Sequence, residues 1–307
     1  MRAVWSFWSK PYNEGHGWRW RDPVHHHLAW GLSLRLAGSH YPQTTLITDT
    51  PGRQLLVDRL GLEFTSVSTE LDRLNDADPA LWALGKLVAY SLQDEPFVHL
   101  DADVFLWRPL PDWLITAPVL AQSPEDFHSV DDADGPRPIE DAFGRAGLSL
   151  PAEWQWTRSL GGRRFREANC GILGGTKADF LRHYAGLALD LALNPAHSSA
   201  WAAMPDTGRP NTAIEQFFLL ACVAYHRFNP ASPYRGVHVR YLFRTTYEAY
   251  GPEHATRAGY THLLGPAKRN EYVTTRLAQR VRAEDPAFYE RCLAVSGCVP
   301  DRAFAGA

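Results

Sequence analysis

The stretch EPFVHLDADVFLWRPLP, Glu95 to Pro111, decides how the chain is read. An apolar, strand-like run delivers two carboxylates, Asp101 and Asp103, and stays apolar from Val104 to Trp107. Ionised carboxylates are costly to bury unless something pairs with them. Two residues apart on an extended backbone, they face the same side, where both can reach one cation. The same tripeptide recurs at Asp76–Asp78 and Asp132–Asp134, so context has to separate the copies. Asp76 and Asp78 precede a helical pattern and read as turn and cap residues. Asp132 and Asp134 lie in the polar, Pro/Gly-rich PEDFHSVDDADGPRP, which reads as a loop.

The flanking pattern places the opening stretch in a sheet. RAVWSFWS reads as a strand, and HHHLAWGLSLRLAGSHY as a helix ending near Gly38. TTLITD is a second strand, GRQLLVDRLG a helix with a glycine stop, and FTSVS a third strand. DPALWALGKLVAYSLQ opens on Asp78-Pro79, an N-cap followed by a first-turn proline, and reads as a helix. The opening stretch is therefore the fourth strand. Strands alternating with helices predict a doubly wound, mostly parallel α/β sheet, whose ligands sit beyond the carboxyl ends of the strands. Farther on, Ser123 to Arg166 reads as a long mixed loop. EANCGILGG is then a strand, TKADFLRHYAGLALDLALN and TAIEQFFLLACVAYH are helices, and GVHVRYLF is a late strand. YTHLLGPAKRN is a strand end with a turn, and a final helix runs from about Glu271 to Val295. One compact domain with elaborations is the simplest reading.

Composition narrows the function classes. The 307 residues are 45% hydrophobic and 21% charged, with net charge −3, the profile of a soluble globular chain. Without a basic excess, nucleic acid is not an expected partner, and no polybasic run points to a membrane surface. MRAVWSFWSK is not a signal-peptide start, no apolar run nears the roughly 18–20 residues of a membrane span, and the expectation is a cytoplasmic protein. Cys170, Cys222, Cys292 and Cys298 lack metal-site spacing; free thiols are expected, with a Cys292–Cys298 bridge as the alternative.

A carboxylate pair at a buried strand end suits a hard divalent cation, Mn²⁺ or Mg²⁺, held together with substrate phosphates. A salt-bridged or capping pair would explain the same residues. His262, followed by Gly265 and Lys268, offers an imidazole ligand and an ammonium for a diphosphate, although a structural histidine is the commoner case. The HHH run at His25–His27 cannot form one cation site, because consecutive helical residues do not share a face. RSLGGRRFRE, Arg158 to Glu167, is a basic loop that either reaches phosphates or is simply solvated.

These segments, taken in order, resemble the nucleotide-sugar glycosyltransferases of GT-A fold. FVHLDADVFLWRPLP is similar to their Asp-x-Asp strand, and NCGILGG (Asn169–Gly175) to the Asn-x-Gly strand of retaining, family 8-type members. HLLGPAKRN is similar to their late His-x-x-Gly-x-x-Lys segment, without its usual Pro-Trp ending. The resemblance implies a Rossmann-like domain over residues 1–270, with 1–111 the nucleotide-sugar half and 112–270 the acceptor side. A C-terminal helix and tail, 271–307, would follow. It implies a hexosyltransferase acting with retention on a nucleoside-diphosphate sugar, a UDP-sugar first among them. The acceptor would be a small molecule, glycan or peptide. Asp101, Asp103 and His262 would hold the metal; Asp101 would also meet the ribose, and Lys268 the diphosphate. Lys86 would face the donor, unless it is merely solvated at a helix end. Phe7, Trp8 and Ser9 would line the base and ribose pocket, Asp49 would approach the base, and Asn169 would lie beside the donor.

Glu215 interrupts an apolar helix between Ile214 and Phe217. A carboxylate there is costly unless paired or used. It is the candidate acceptor-side catalytic residue, with a structural pairing to Arg163, Arg164 or Arg166 as the equal alternative. Gln216 would stand near the anomeric carbon. Three rival functions share parts of this pattern. A phosphatase of the haloacid-dehalogenase type would carry its Asp-x-Asp after the first strand, not the fourth. A nucleotidyltransferase would show a Gly-rich loop where WSKPYNEGHGWRW stands. A non-catalytic nucleotide- or sugar-binding protein of the same fold would not need Asp101, Asp103 and His262 together.

Overall fold

The computed structural model describes residues 1–16, 19–127, 135–160, 165–208 and 210–298, with Phe127 and Phe165 described by backbone alone. Seven strands form one mixed sheet: β1 (Arg2–Phe7), β2 (Thr44–Thr48), β3 (Ser66–Ser68), β4 (Phe97–Leu100), β6 (Val119–Phe127), β7 (Phe165–Gly175) and β8 (Val239–Tyr241). Their order is β3-β2-β1-β4-β7-β6-β8. The first four run parallel, and β8 runs parallel to β6, while β7 is antiparallel to both of its neighbours. The expected doubly wound, mostly parallel α/β sheet is what the chain forms. The register pairs Arg2 with Phe97 and Ala3 with Thr44, which brings the carboxyl ends of β1, β2 and β4 to one edge.

The apolar runs are continuous because both faces of the sheet are covered. Val4 and Phe97 enter one core with the helices Leu84–Ser91, Ala178–Leu193 and Phe218–Phe228. Ala3, Trp5, Val98 and Leu100 enter the other, with the helices Pro23–Gly38, Glu271–Glu284 and Pro286–Ser296. The last two were expected as a single helix. Asp285-Pro286 divides them: Asp285 Oδ1 accepts the Phe288 N–H at 2.9 Å, and the proline takes the first turn of the new helix. Both fold back on Pro23–Gly38, with the Phe288 ring filling the space beside Gly31.

Three other expectations are corrected. The opening stretch is not one strand. β4 ends at Leu100, and Asp101–Asp103 form a turn closed by Val104 N–H to Asp101 O at 3.0 Å. The chain then leaves the sheet as β5 (Val104–Leu106), which pairs antiparallel with β9 (Tyr260–His262). Breaking the ladder there keeps two carboxylates out of the apolar layers. The helix after Asp78-Pro79 starts only at Leu84, because the buried Asn211 amide intercepts the backbone, accepting Ala83 N–H at 2.9 Å and donating to Ala80 O at 2.8 Å. Asp78 is the expected turn residue, its Oδ1 accepting from Ala80 N–H at 2.9 Å, and Asp76 is exposed. The Ser123–Arg166 region holds most of β6, the helices Arg137–Arg145 and Ala152–Ser159 and the start of β7. Asp132 and Asp134 lie outside the described residues, as does the tail beyond 298.

All four cysteines are free. Among the described residues no helix is long and apolar enough to cross a membrane. Phe288, 4% exposed, holds the last two helices to the first. Phe288→Ala is expected to destabilise the fold by about 3–5 kcal/mol, read from the urea midpoint at constant slope.

Candidate active site

The carboxyl ends of β1 and β4, the turn after β4, the middle of β7 and the segment after β9 enclose a cleft of about 1420 Å³. Of the residues singled out in the sequence, Phe7, Trp8, Lys86, Asp101, Asp103, Asn169, Gln216, His262 and Lys268 line it. Ser9, Asp49 and Glu215 lie behind its wall. Asp49 is 2% exposed and its acceptors are taken: Oδ2 receives Ser9 N–H at 2.9 Å and Ser9 Oγ–H at 2.6 Å, and Oδ1 caps Gly52 N–H at 2.9 Å. The Asp49–Ser9 pair ties the chain after β2 to the chain after β1.

A ladder of alternating charge runs into the cleft from the protein interior. Glu215 is fully buried in a π-type turn, Ala213–Phe217, ahead of the helix Phe218–Phe228. Its Oε1 receives the Tyr90 hydroxyl at 2.9 Å and the Lys86 ammonium at 3.1 Å. Lys86 also contacts both oxygens of Asp101, at 2.8 and 3.0 Å, and donates to Cys170 O at 3.3 Å. Burial works against the Lys86 charge, yet Asp101 and Glu215 hold its pKa above the ordinary lysine value. Burial raises the carboxyl pKa of both acids, with Lys86 offsetting part of the rise. The Glu215 partner is thus Lys86. Arg166, offered as an alternative, instead pairs with Asp126 at 2.7 Å, and Arg163 and Arg164 lie outside the described residues.

Asp103, 7% exposed, sits between a second lysine and a histidine. Lys268 Nζ is 2.6 Å from Oδ2, and His262 Nε2 is 3.4 Å from Oδ1. Burial opposes the Asp103 charge, but Lys268 and His262 hold its carboxyl well below the usual carboxylate range. Local pairing builds this arrangement. β5 and β9 align Val104 with His262, and Leu263 N–H donates to Asp103 O at 3.0 Å. His262 Nδ1 lies 2.7 Å from Gln122 Oε1, which also accepts the Tyr260 hydroxyl at 2.6 Å. An amide oxygen can only accept, so Nδ1–H donates to Gln122, and Nε2 is the ring nitrogen turned toward Asp103. Gly171 makes room for the ring: a Cβ there would lie 2.4 Å from His262 Nδ1. Oxygens of Asp101 and Asp103 and a nitrogen of His262 lie within 4.8 Å of one another.

The cleft wall also holds Glu125 and Tyr250, which the sequence did not single out. Asn169 Oδ1 accepts Gly171 N–H at 3.0 Å, and its Nδ2 donates to Glu125 Oε1 at 2.9 Å. Tyr250 donates to the same oxygen at 3.3 Å, so Glu125 is a fixed carboxylate on the cleft wall. Glu125 was hidden in a Pro-rich stretch read as loop; strand β6 supplies it. The π-type turn sends Gln216 to the cleft while Glu215 stays buried. Gln216 Oε1 is buried with no hydrogen-bond partner among the described residues. Beside Phe7, the His26 ring stacks on Tyr12 at 4.4 Å and 21°, and burial lowers its pKa to about 3. The three consecutive histidines point apart: His25 toward Asp22, His26 into the cleft, and His27 to Ser296 Oγ at 2.9 Å.

No curated protein matches the chain. Among solved structures it is similar to the crystal structure of mouse xyloside xylosyltransferase 1 in its apo form. The TM-score is 0.37 at 11% sequence identity, over 84% of this chain and 93% of that one. A family model described as "Family of unknown function (DUF6734)" matches residues 1–295, and the chain belongs to that family.

Proposed function

We propose that this protein is a metal-dependent glycosyltransferase that moves a sugar from a nucleoside-diphosphate sugar to an acceptor hydroxyl, with retention at the anomeric carbon. The observation that carries the reading is the convergence of Asp101, Asp103 and His262 on one point, with a lysine at each carboxylate. The residues fit a divalent cation. His262 Nε2 stands 3.4 Å from Asp103 Oδ1, longer than a charge-assisted hydrogen bond. That separation falls within the roughly 3–3.5 Å expected between two ligands of one small cation. Mn²⁺ or Mg²⁺ held by Asp103, Asp101 and His262 would supply positive charge against the leaving diphosphate.

The other residues have work that follows from their place. Lys268 would bind the diphosphate, exchanging its contact with Asp103 for one with phosphate. Phe7, Trp8 and the Tyr12–His26 stack offer flat surfaces for the base and ribose of the nucleotide, with a UDP-hexose as the first donor to test. Lys86, held by Glu215, would fix the orientation of Asp101; Glu215 would act through it as a positioning residue. Gln216, which lines the cleft, would stand near the anomeric carbon. In the transfer, the bond from the anomeric carbon to the phosphate oxygen breaks. The acceptor oxygen bonds to that carbon on the same face, and its proton passes to the leaving phosphate. Glu125, on the cleft wall, would orient the acceptor hydroxyl.

A donor-hydrolysis screen over common nucleotide sugars, with and without Mn²⁺, tests the reading directly. Calorimetry that found no nucleoside diphosphate bound and no metal effect would defeat it. Asp103→Ala is expected to remove metal-dependent turnover while the circular dichroism spectrum is kept. Gly171→Ala, which crowds His262, is expected to weaken Mn²⁺ binding by about tenfold in a paramagnetic-resonance titration. Unchanged affinity would take His262 out of the site. NMR of the product is expected to show the donor's anomeric configuration; inversion would make Glu125 the general base to test next.

A further inference from the structure

On the side of the sheet covered by the helices Leu84–Ser91, Ala178–Leu193 and Phe218–Phe228 lies a second cluster that the proposed reaction does not use. Glu153 stands in the first turn of the helix Ala152–Ser159, His183 in the second turn of Ala178–Leu193, and His226 near the end of Phe218–Phe228. Glu153 Oε1 is 3.6 Å from His183 Nε2 and 3.4 Å from His226 Nε2, and the two Nε2 atoms are 3.1 Å apart. None of the three lines the cleft.

We propose that Glu153, His183 and His226 form a zinc-binding site that ties these three helices together. The distances carry the argument. Ligands at about 2.0–2.2 Å from a tetrahedral zinc ion stand roughly 3.3–3.5 Å from one another. The three measured edges straddle that value, and none is the 2.7–2.9 Å of a charge-assisted hydrogen bond. The triangle is the outline of three ligands around a common point.

The far ring nitrogen of His226 has a fixed partner of its own. His226 Nδ1 is 2.7 Å from Ser232 Oγ, which is fixed by the Tyr234 N–H at 2.9 Å. Such a hydroxyl can accept Nδ1–H and orient the ring with Nε2 toward the cluster, as is common for histidines on metals. Two imidazoles and one carboxylate select zinc or a similar borderline ion, whereas the oxygen-rich Asp101–Asp103 turn suits Mn²⁺ or Mg²⁺. Glu153 and His226 are buried, and the His183 side chain is 32% exposed, so solvent can supply a fourth ligand from that side.

The test uses the full chain stripped of metal, incubated with ZnSO₄ and passed through a desalting column. Zinc retained per chain is measured by atomic emission, and thermal midpoints are taken with and without zinc. About one zinc ion is expected in the wild type and in Asp103→Ala, with a raised midpoint in both. His183→Ala and the near-isosteric Glu153→Gln are each expected to lower zinc affinity more than about tenfold and to abolish the shift. His183 is partly exposed, so its replacement leaves the core packed; Glu153→Gln provides the second arm. Cobalt substitution should give tetrahedral visible bands in the wild type that are missing from His183→Ala. Zinc retained equally by both triad variants, zinc lost only in Asp103→Ala, or a wild type that binds none would each overturn the proposal. Failure of the donor screen would leave these outcomes unchanged, because Asp103→Ala separates the two sites.

Discussion

The Lys86 ammonium is the contact on which the site depends. It stands between Asp101 and Glu215, 2.8 and 3.1 Å away, at the point where the apolar layer between sheet and helix meets the cleft. Three carboxylates reach this small region, and like charges so near one another do not stay ionised in a poorly solvated place without counter-charge. Lys86, shared by Asp101 and Glu215, and Lys268, at Asp103, supply two positive charges against the three carboxylates. The fold follows from the same constraint. β4 stops where the first carboxylate arrives, the turn lifts both acids to the rim, and the strand that would have continued the sheet pairs with β9 instead.

That detour is what joins distant parts of the chain. By pairing with β5, the residues around 260 deliver His262 and Lys268 to Asp103. The approach is close enough that only glycine fits at position 171, where β7 passes beneath the imidazole. Gln122, from β6, sets the ring's tautomer. A single constellation thus draws on the turn after β4, on β6, β7 and β9, and on the segment after β9, with the strands fixing where that turn and segment meet.

The architecture was largely legible because its signals are local. Apolar runs separated by helix caps and glycine stops mark the first four strands, and a carboxylate at a buried strand end marks the rim. Asp101, Asp103, His262 and Lys268 could be placed together because each ends or follows such a run. What escaped the sequence depended on partners chosen in three dimensions. The bond between Glu215 and Lys86 requires a π-type turn that no residue pattern announces. Glu125 sits in a strand whose proline and flanking polar residues read as loop, and Asn169 and Tyr250 fix it from elsewhere. Glu153, His183 and His226 come from three helices and so have no spacing to recognise. The break at Asp285-Pro286 carried a readable signal, a capping aspartate before a first-turn proline, which the helical periodicity on both sides masked.

The packing of the last two helices against the helix Pro23–Gly38 has a consequence for how the protein is made. His27 meets Ser296 across 269 residues of sequence, and Phe288 closes on Gly31 in the same layer. The early helix therefore emerges from the ribosome with one apolar face uncovered, and that face stays wet until residues near 296 are available. Contacts this far apart in sequence make for slow closure of the loop between them and a long interval of exposed apolar surface. The apolar face of that helix is therefore covered only when the final two helices have docked.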